Sequence, residues 1–166
     1  MFHAFTGCDT VSQFHHIGKK TAWKTWKPHE KFTDVFLRLA GAPQDLSKED
    51  ISSMEEFTVL LYDSTTTIKS VDELRLVLFT QKGRQMLDLP PTRSALEQHI
   101  KQAVLQGGQY WSCTTSPTRV PPSPDLWGWI KSDVWKPFWA SMPEARLLAQ
   151  NLSDANVDPN VSIVHA

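Results

Sequence analysis

Prolines constrain this chain more than any other feature. There are eleven in 166 residues. Each one ends or kinks a helix, because it lacks the amide donor and its ring crowds the preceding turn. Pro28 ends one helix and Pro90-Pro91 sets up the start of another, Pro43 lies between them, and the other seven prolines lie beyond residue 116. Short helices bury little surface, and the seven tryptophans supply the aromatic packing that such pieces need. The length suits one domain with a modest core.

Hydrophobic periodicity places the helices. Gly18 precedes a helix over residues 19–26, which Pro28 ends, and residues 11–14 read as a short helical turn. Phe32, Val35, Phe36 and Leu39 share one face of a helix over 30–40, stopped by Gly41. Ser47 and Asp50 form a short version of a capping box ahead of a helix over 48–62, with Ile51, Met54, Phe57, Leu60 and Leu61 inward. Ser70 and Glu73 form a better box for a helix over 71–81, with Leu74, Val77 and Leu78 inward. Pro90-Pro91-Thr92 opens a helix over 93–105 carrying Leu96, Ile100 and Val104, and Gly107-Gly108 is expected to stop it. Residues 112–124 are rich in Ser, Thr and Pro and should be extended. Four tryptophans follow, Trp127, Trp129, Trp135 and Trp139, expected to fold back onto the helices. A short helix over 143–151 and a polar tail complete the chain. No strand pair is evident, so the expected class is all-α: an irregular helical domain with a Trp/Pro-rich C-terminal segment. The expected divisions are 1–27, 28–111, 112–152 and a disordered 153–166.

No stretch approaches the ~20 apolar residues of a membrane-spanning helix, so no membrane partner is expected. Cys8 and Cys113 lack metal-ligand spacing, and two cysteines make no disulfide framework. A reducing, intracellular location is expected. The net charge is −1, but it is unevenly spread. Residues 1–27 carry Lys19, Lys20, Lys24 and Lys27 against Asp9, a balance of +3, whereas residues 28–73 have a balance of −6. A basic end of this kind suits contact with a polyanion.

The segment Ile17-Gly18-Lys19-Lys20-Thr21-Ala22 follows the pattern of a helix–hairpin–helix turn. A glycine there admits a phosphate close to the backbone, and the amides of the next helix point outward where the dipole favours an anion. Gly18, Lys19, Lys20 and Lys24 are therefore the candidate contacts to a DNA or RNA backbone, blind to sequence. Other features have plainer readings. His15 and His16 are adjacent and would diverge on a helix, so they read as surface residues. Cys8 reads as a small buried residue. Glu49, Asp50, Glu55 and Glu56 read as a solvated helix face.

Gly7-Cys8-Asp9, shortly before Ile17-Gly18-Lys19-Lys20-Thr21-Ala22, resembles the junction in flap-endonuclease/XPG-type nucleases, where a Gly-x-Asp leaves the PIN-like core for a hairpin that grips duplex DNA. Over residues 3–145 the chain more closely resembles an expanded group of animal proteins with a PIN/flap-endonuclease (XPG)-like core. That likeness rests on His3-Ala4-Phe5-Thr6-Gly7-Cys8-Asp9-Thr10, Gly18-Lys19-Lys20-Thr21-Ala22-Trp23, Leu61-Tyr62-Asp63, Leu89-Pro90-Pro91-Thr92 and Trp127-Gly128-Trp129. These motifs mark the group without assigning it an activity. The nuclease resemblance implies Asp9 as a metal ligand, one of several carboxylates around two Mg²⁺ in an intact parent, and a nuclear location. The chain departs from the pattern twice. His16 stands where the hairpin's first glycine would be, and the strands that would bring further carboxylates to Asp9 have no counterpart. The expectation is a non-catalytic piece of a nuclease-like protein, of mobile-element association, binding no cofactor by itself and missing an N-terminal nuclease-like partner domain. The competing expectation is an all-helical interaction module.

Overall fold

A computed structural model describes residues 1–81, 83, 85–114 and 120–138. It is mostly helical, as the periodicity requires. Helices α1 (Phe2–Phe5), α2 (Lys19–Trp26), α3 (Lys31–Ala40), α4 (Lys48–Tyr62), α5 (Val71–Phe79) and α6 (Arg93–Val104) surround one hydrophobic cluster that runs from Ala4 to Trp127. Phe5 sits at its centre, fully buried, with the rings of Phe14, Phe57 and His99 5.3, 6.0 and 5.1 Å away. The α3 face Phe32/Val35/Phe36/Leu39 is buried throughout, as are Met54, Phe57, Leu60 and Leu61 of α4 and Leu96, Ile100 and Val104 of α6. On α5, Leu74 and Leu78 are buried but Val77 is 42% exposed. It lies on the flank of the stripe rather than in it. The helix expected over 143–151, Trp139 and the polar tail lie outside the described residues.

Several local expectations need correction. Residues 11–14 form no helical turn. The chain there is irregular, tied by the Cys8 amide donating to the Val11 carbonyl (2.9 Å), with Val11 and Phe14 buried. The two capping serines exchange rank. Ser47 Oγ accepts from the Asp50 amide (3.0 Å), but Ser70 makes no such bond. The α5 N-terminus is capped from a distance instead: Glu55 Oε1 on α4 accepts from the Val71 amide (3.0 Å), and Glu55 Oε2 accepts from Arg93 Nη1 on α6 (2.6 Å). Glu55 is 2% exposed and Asp50, which binds Arg38 through two nitrogens, 8%. Half of the supposed solvated acidic face is therefore a set of interior clamps. Buried carboxylates are tolerated when paired and hydrogen-bonded, and among the described residues no buried side-chain N or O lacks a partner.

Gly107-Gly108 does not stop α6. The helix widens into a π-helical segment, Leu105–Tyr110, and returns to α in α7 (Trp111–Cys113). The reason is contact. A Cβ on Gly107 would sit 3.0 Å from the Met1 Cα and 3.1 Å from the Ala4 Cβ, and one on Gly108 would collide with the Leu39 carbonyl oxygen. The glycines let α1 and the end of α3 approach the widened turn.

The tryptophan segment holds a strand pair after all. Strands β1 (Trp129–Lys131) and β2 (Trp135–Pro137) are antiparallel, with Ile130 opposite Lys136. Trp127 is buried and Gln102 Nε2 donates to the Gly128 carbonyl (2.7 Å), which docks the segment on α6. Gly128 needs its positive φ of 78°, and a Cβ there would meet the Gln98 carbonyl at 2.8 Å.

Candidate nucleic-acid interface

The candidate interface is built on the turn before α2. The Ile17 amide donates to the Phe14 carbonyl (3.1 Å), closing a turn around His15 and His16. His16 has φ 58°, the left-handed conformation that glycine adopts without strain and other residues adopt rarely. The histidine thus takes the backbone shape that a hairpin glycine would take. Gly18 follows as the N-cap of α2, in extended backbone (φ −81°, ψ 167°), and nothing lies within 4 Å of where its Cβ would be. Its local geometry suits any residue. What its small size leaves is open space, among the described residues, in front of a helix N-terminus that has no side-chain cap and no acidic residue in its first turn.

The four lysines separate into one and three. Lys19 bends back, and its ammonium donates to the His3 carbonyl (3.1 Å), Thr6 Oγ1 (3.2 Å) and the Gly7 carbonyl. Its three donors are thereby used in closing the end of α1. Lys20, Lys24 and Lys27 are exposed and form no hydrogen bond or ion pair with the described residues. Together with Trp23, 54% exposed, they recur at i, i+3, i+4 and i+7 and form one outward stripe. Trp23 is steadied by edge contacts to Phe2 (6.0 Å) and Trp26 (5.2 Å). On the inner side, Trp26 stacks against Phe2 (5.0 Å) and Phe36 (4.8 Å) and donates Nε1–H to Thr33 Oγ1 (3.1 Å). The stripe is therefore mounted on a rigid aromatic base. Trp23 was not among the candidate residues read from the sequence, although its spacing with Lys20, Lys24 and Lys27 was legible there.

No family model, curated protein or solved structure matches the chain. The site must then be read from its own atoms. Asp9 is exposed on the tight turn after α1 and belongs to no group of three or more ligand-type side chains among the described residues. A pair of Mg²⁺ ions needs several carboxylates to balance their charge, so the residues around Asp9 do not fit the magnesium pair implied by the nuclease resemblance. One ligand-type group does occur among the described residues, His15, His16 and Asp88.

A cleft of about 360 Å³ lies beside this turn, lined by Ser12, His15, Tyr62, Arg75, Leu89 and His99 among others. His99 Nε2 lies 2.8 Å from the Phe5 carbonyl, which can only accept, so Nε2 carries the proton and Nδ1 receives the Ser12 hydroxyl (3.2 Å). Burial lowers the His99 pKa to about 4, against the opposing pull of the Phe5 carbonyl. So weak a base does not activate Ser12 at neutral pH. The pair ties the irregular 8–17 segment to α6. Burial pushes the Tyr62 phenol up to about 12, with Arg75 working against it.

Proposed function

We infer that the chain binds nucleic-acid backbone without sequence preference, through the uncapped N-terminus of α2 and the Lys20/Trp23/Lys24/Lys27 stripe. One observation carries the reading: three lysines unpaired within the described residues flank an exposed tryptophan on one helical face. Lysines take phosphates as point charges, and an indole face takes any base by stacking. Lysines in the first turn of a helix also oppose its dipole, and a bound anion relieves that cost. Backbone contacts of this kind carry no base information, so the substrate class is DNA or RNA in general, with single strands favoured by the tryptophan.

Fluorescence anisotropy with labelled single- and double-stranded oligonucleotides across a salt series tests this. Trp23→Ala should weaken single-strand binding more than duplex binding, by about 1–3 kcal/mol. Equal binding by wild type and a Lys20→Ala/Lys24→Ala variant at about 50 mM salt would remove the reading.

A second reading has its own support. Leu76, Phe79, Met86 and Leu87 are each more than 60% exposed at the end of α5 and just after it. Apolar side chains left bare in this way suit an interaction module, and that reading takes over if no polyanion binds.

A further inference from the structure

His15 and His16 come together with Asp88 although 72 positions separate His16 from Asp88. The turn explains the histidine half. Adjacent side chains diverge on a helix, but here no helix forms, and the left-handed backbone at His16 brings its ring beside that of His15, centroids 3.8 Å apart and planes at 59°. The Met86–Asp88 3₁₀ turn explains the carboxylate half. The Gln85 amide donates to Asp88 Oδ2 (3.4 Å), which leaves Oδ1 facing the imidazoles. His15 Nδ1 and His16 Nε2 each lie 3.8 Å from that one oxygen, and the three ligand atoms fall within 4.8 Å of one another.

These distances do not describe hydrogen bonds. At 3.8 Å both contacts exceed the ordinary range. The gap has another meaning. Bonds of about 2.0–2.1 Å at tetrahedral angles put neighbouring ligand atoms about 3.3–3.4 Å apart. Each nitrogen–oxygen distance needs about half an ångström of closure and the nitrogen–nitrogen distance up to about 1.4 Å, movements open to side chains that are 42%, 76% and 32% exposed. Each imidazole can turn an N–H towards the carboxylate or, in its other tautomer, offer a lone pair to a cation held between the three groups.

We propose that His15, His16 and Asp88 form a binding site for one imidazole-preferring divalent cation, zinc above all. Two nitrogens and one oxygen suit zinc and its neighbours rather than magnesium or calcium, which prefer all-oxygen shells. Three protein ligands leave a fourth position for water at the rim of the cleft that His15 also lines. The bound ion pins the 86–88 turn to the segment entering α2. It also places positive charge two residues before Gly18, on the side where the proposed nucleic-acid interface begins. The metal site stands on its own geometry and does not depend on that interface.

The test uses the untagged full chain, stripped with chelator and titrated with Co²⁺ and Zn²⁺ near pH 7.5 by calorimetry and visible absorption. One equivalent of cobalt should bind, with the intense visible bands of a four-coordinate ion, and zinc should displace it. Asp88→Asn keeps the acceptor for Gln85, and His16→Asn keeps a residue that tolerates the left-handed backbone, so both should fold. Altered outer-shell partners already weaken metal sites by 10–100-fold, so each loss of a ligand should cost at least about a hundredfold. His3→Ala should change nothing. Failure of wild type to take up cobalt would overturn the proposal, as would unchanged affinity in both Asn variants. Binding accompanied by thiolate charge-transfer bands would assign the ion to Cys8 or Cys113 instead, and displacement by excess magnesium would assign it to an oxygen site; either result also overturns it.

Discussion

At the scale of single residues, buried polar groups govern more than their number suggests. Glu55 joins three helices through two carboxylate oxygens, one on the Val71 amide and one on Arg93. Glu55→Ala strands the buried Val71 amide, while the half-exposed Arg93 guanidinium can turn to water, and should destabilise the fold by about 1–3 kcal/mol in urea unfolding. A cost below ~1 kcal/mol would mean that the clamp is ornamental. His99 makes stability depend on pH. Its folded pKa, about 4, lies below the ordinary 6.5, so on acidification the unfolded chain takes up the proton first. Its contribution is complete above about pH 6.5 and is lost as pH falls towards 4, by roughly 3 kcal/mol in all. His99→Gln should lower stability at neutral pH yet flatten the slope of unfolding free energy between about pH 6.5 and 4.5. Lys19 belongs to the same class of tether. Lys19→Ala should cost about 1 kcal/mol of stability and leave nucleic-acid affinity nearly unchanged, since its ammonium already serves the end of α1.

At the scale of elements, the widened turn of α6 is the most exacting contact. Gly108 faces the Leu39 carbonyl oxygen, part of the backbone at the end of α3, which cannot retreat as a flexible side chain could. Gly108→Ala should therefore cost about 1–3 kcal/mol despite alanine's better helix propensity. A gain in thermal midpoint would show that the π-helical turn can relax into an ordinary one. Helix identities were legible in the sequence because apolar residues recur at helical spacing within each element, as Phe32, Val35, Phe36 and Leu39 do in α3. Whether Gly107-Gly108 marks a stop or a close approach was not, because local sequence looks the same in both cases.

At the scale of the whole molecule, the +3 of residues 1–27 meets the −6 of residues 28–73, so polyanion binding should be weak and steeply salt-dependent. With Lys19 engaged, Lys20, Lys24 and Lys27 remain, and at about 0.9 per phosphate contact the log–log salt slope should be near −3. The double change Lys20→Ala/Lys24→Ala should flatten it by about two units with the thermal midpoint unchanged. Asp9 belongs to no larger ligand group among the described residues. We expect no Mg²⁺-dependent cleavage of flap, duplex or single-stranded DNA by this chain. Turnover abolished by Asp9→Ala would contradict that expectation.

The amino-acid order alone determined the helical class, the position of α3, α4 and α6, the inward faces that build the core and the basic stripe on α2. All of these follow from periodicity and from prolines and glycines acting over a few residues. Tertiary structure alone decided which charges are interior. Glu55 and Asp50 look like any solvated pair on a helix until Arg93 and Arg38 arrive from other elements. It also decided that Lys19 is a tether while Lys20 pairs with none of the described residues, because the acceptors for Lys19 come from α1 and the turn after it. The convergence of His15, His16 and Asp88 was likewise beyond local reading. Spacing along a chain carries the geometry of neighbours in one element, and groups that meet across elements are placed only when the core closes.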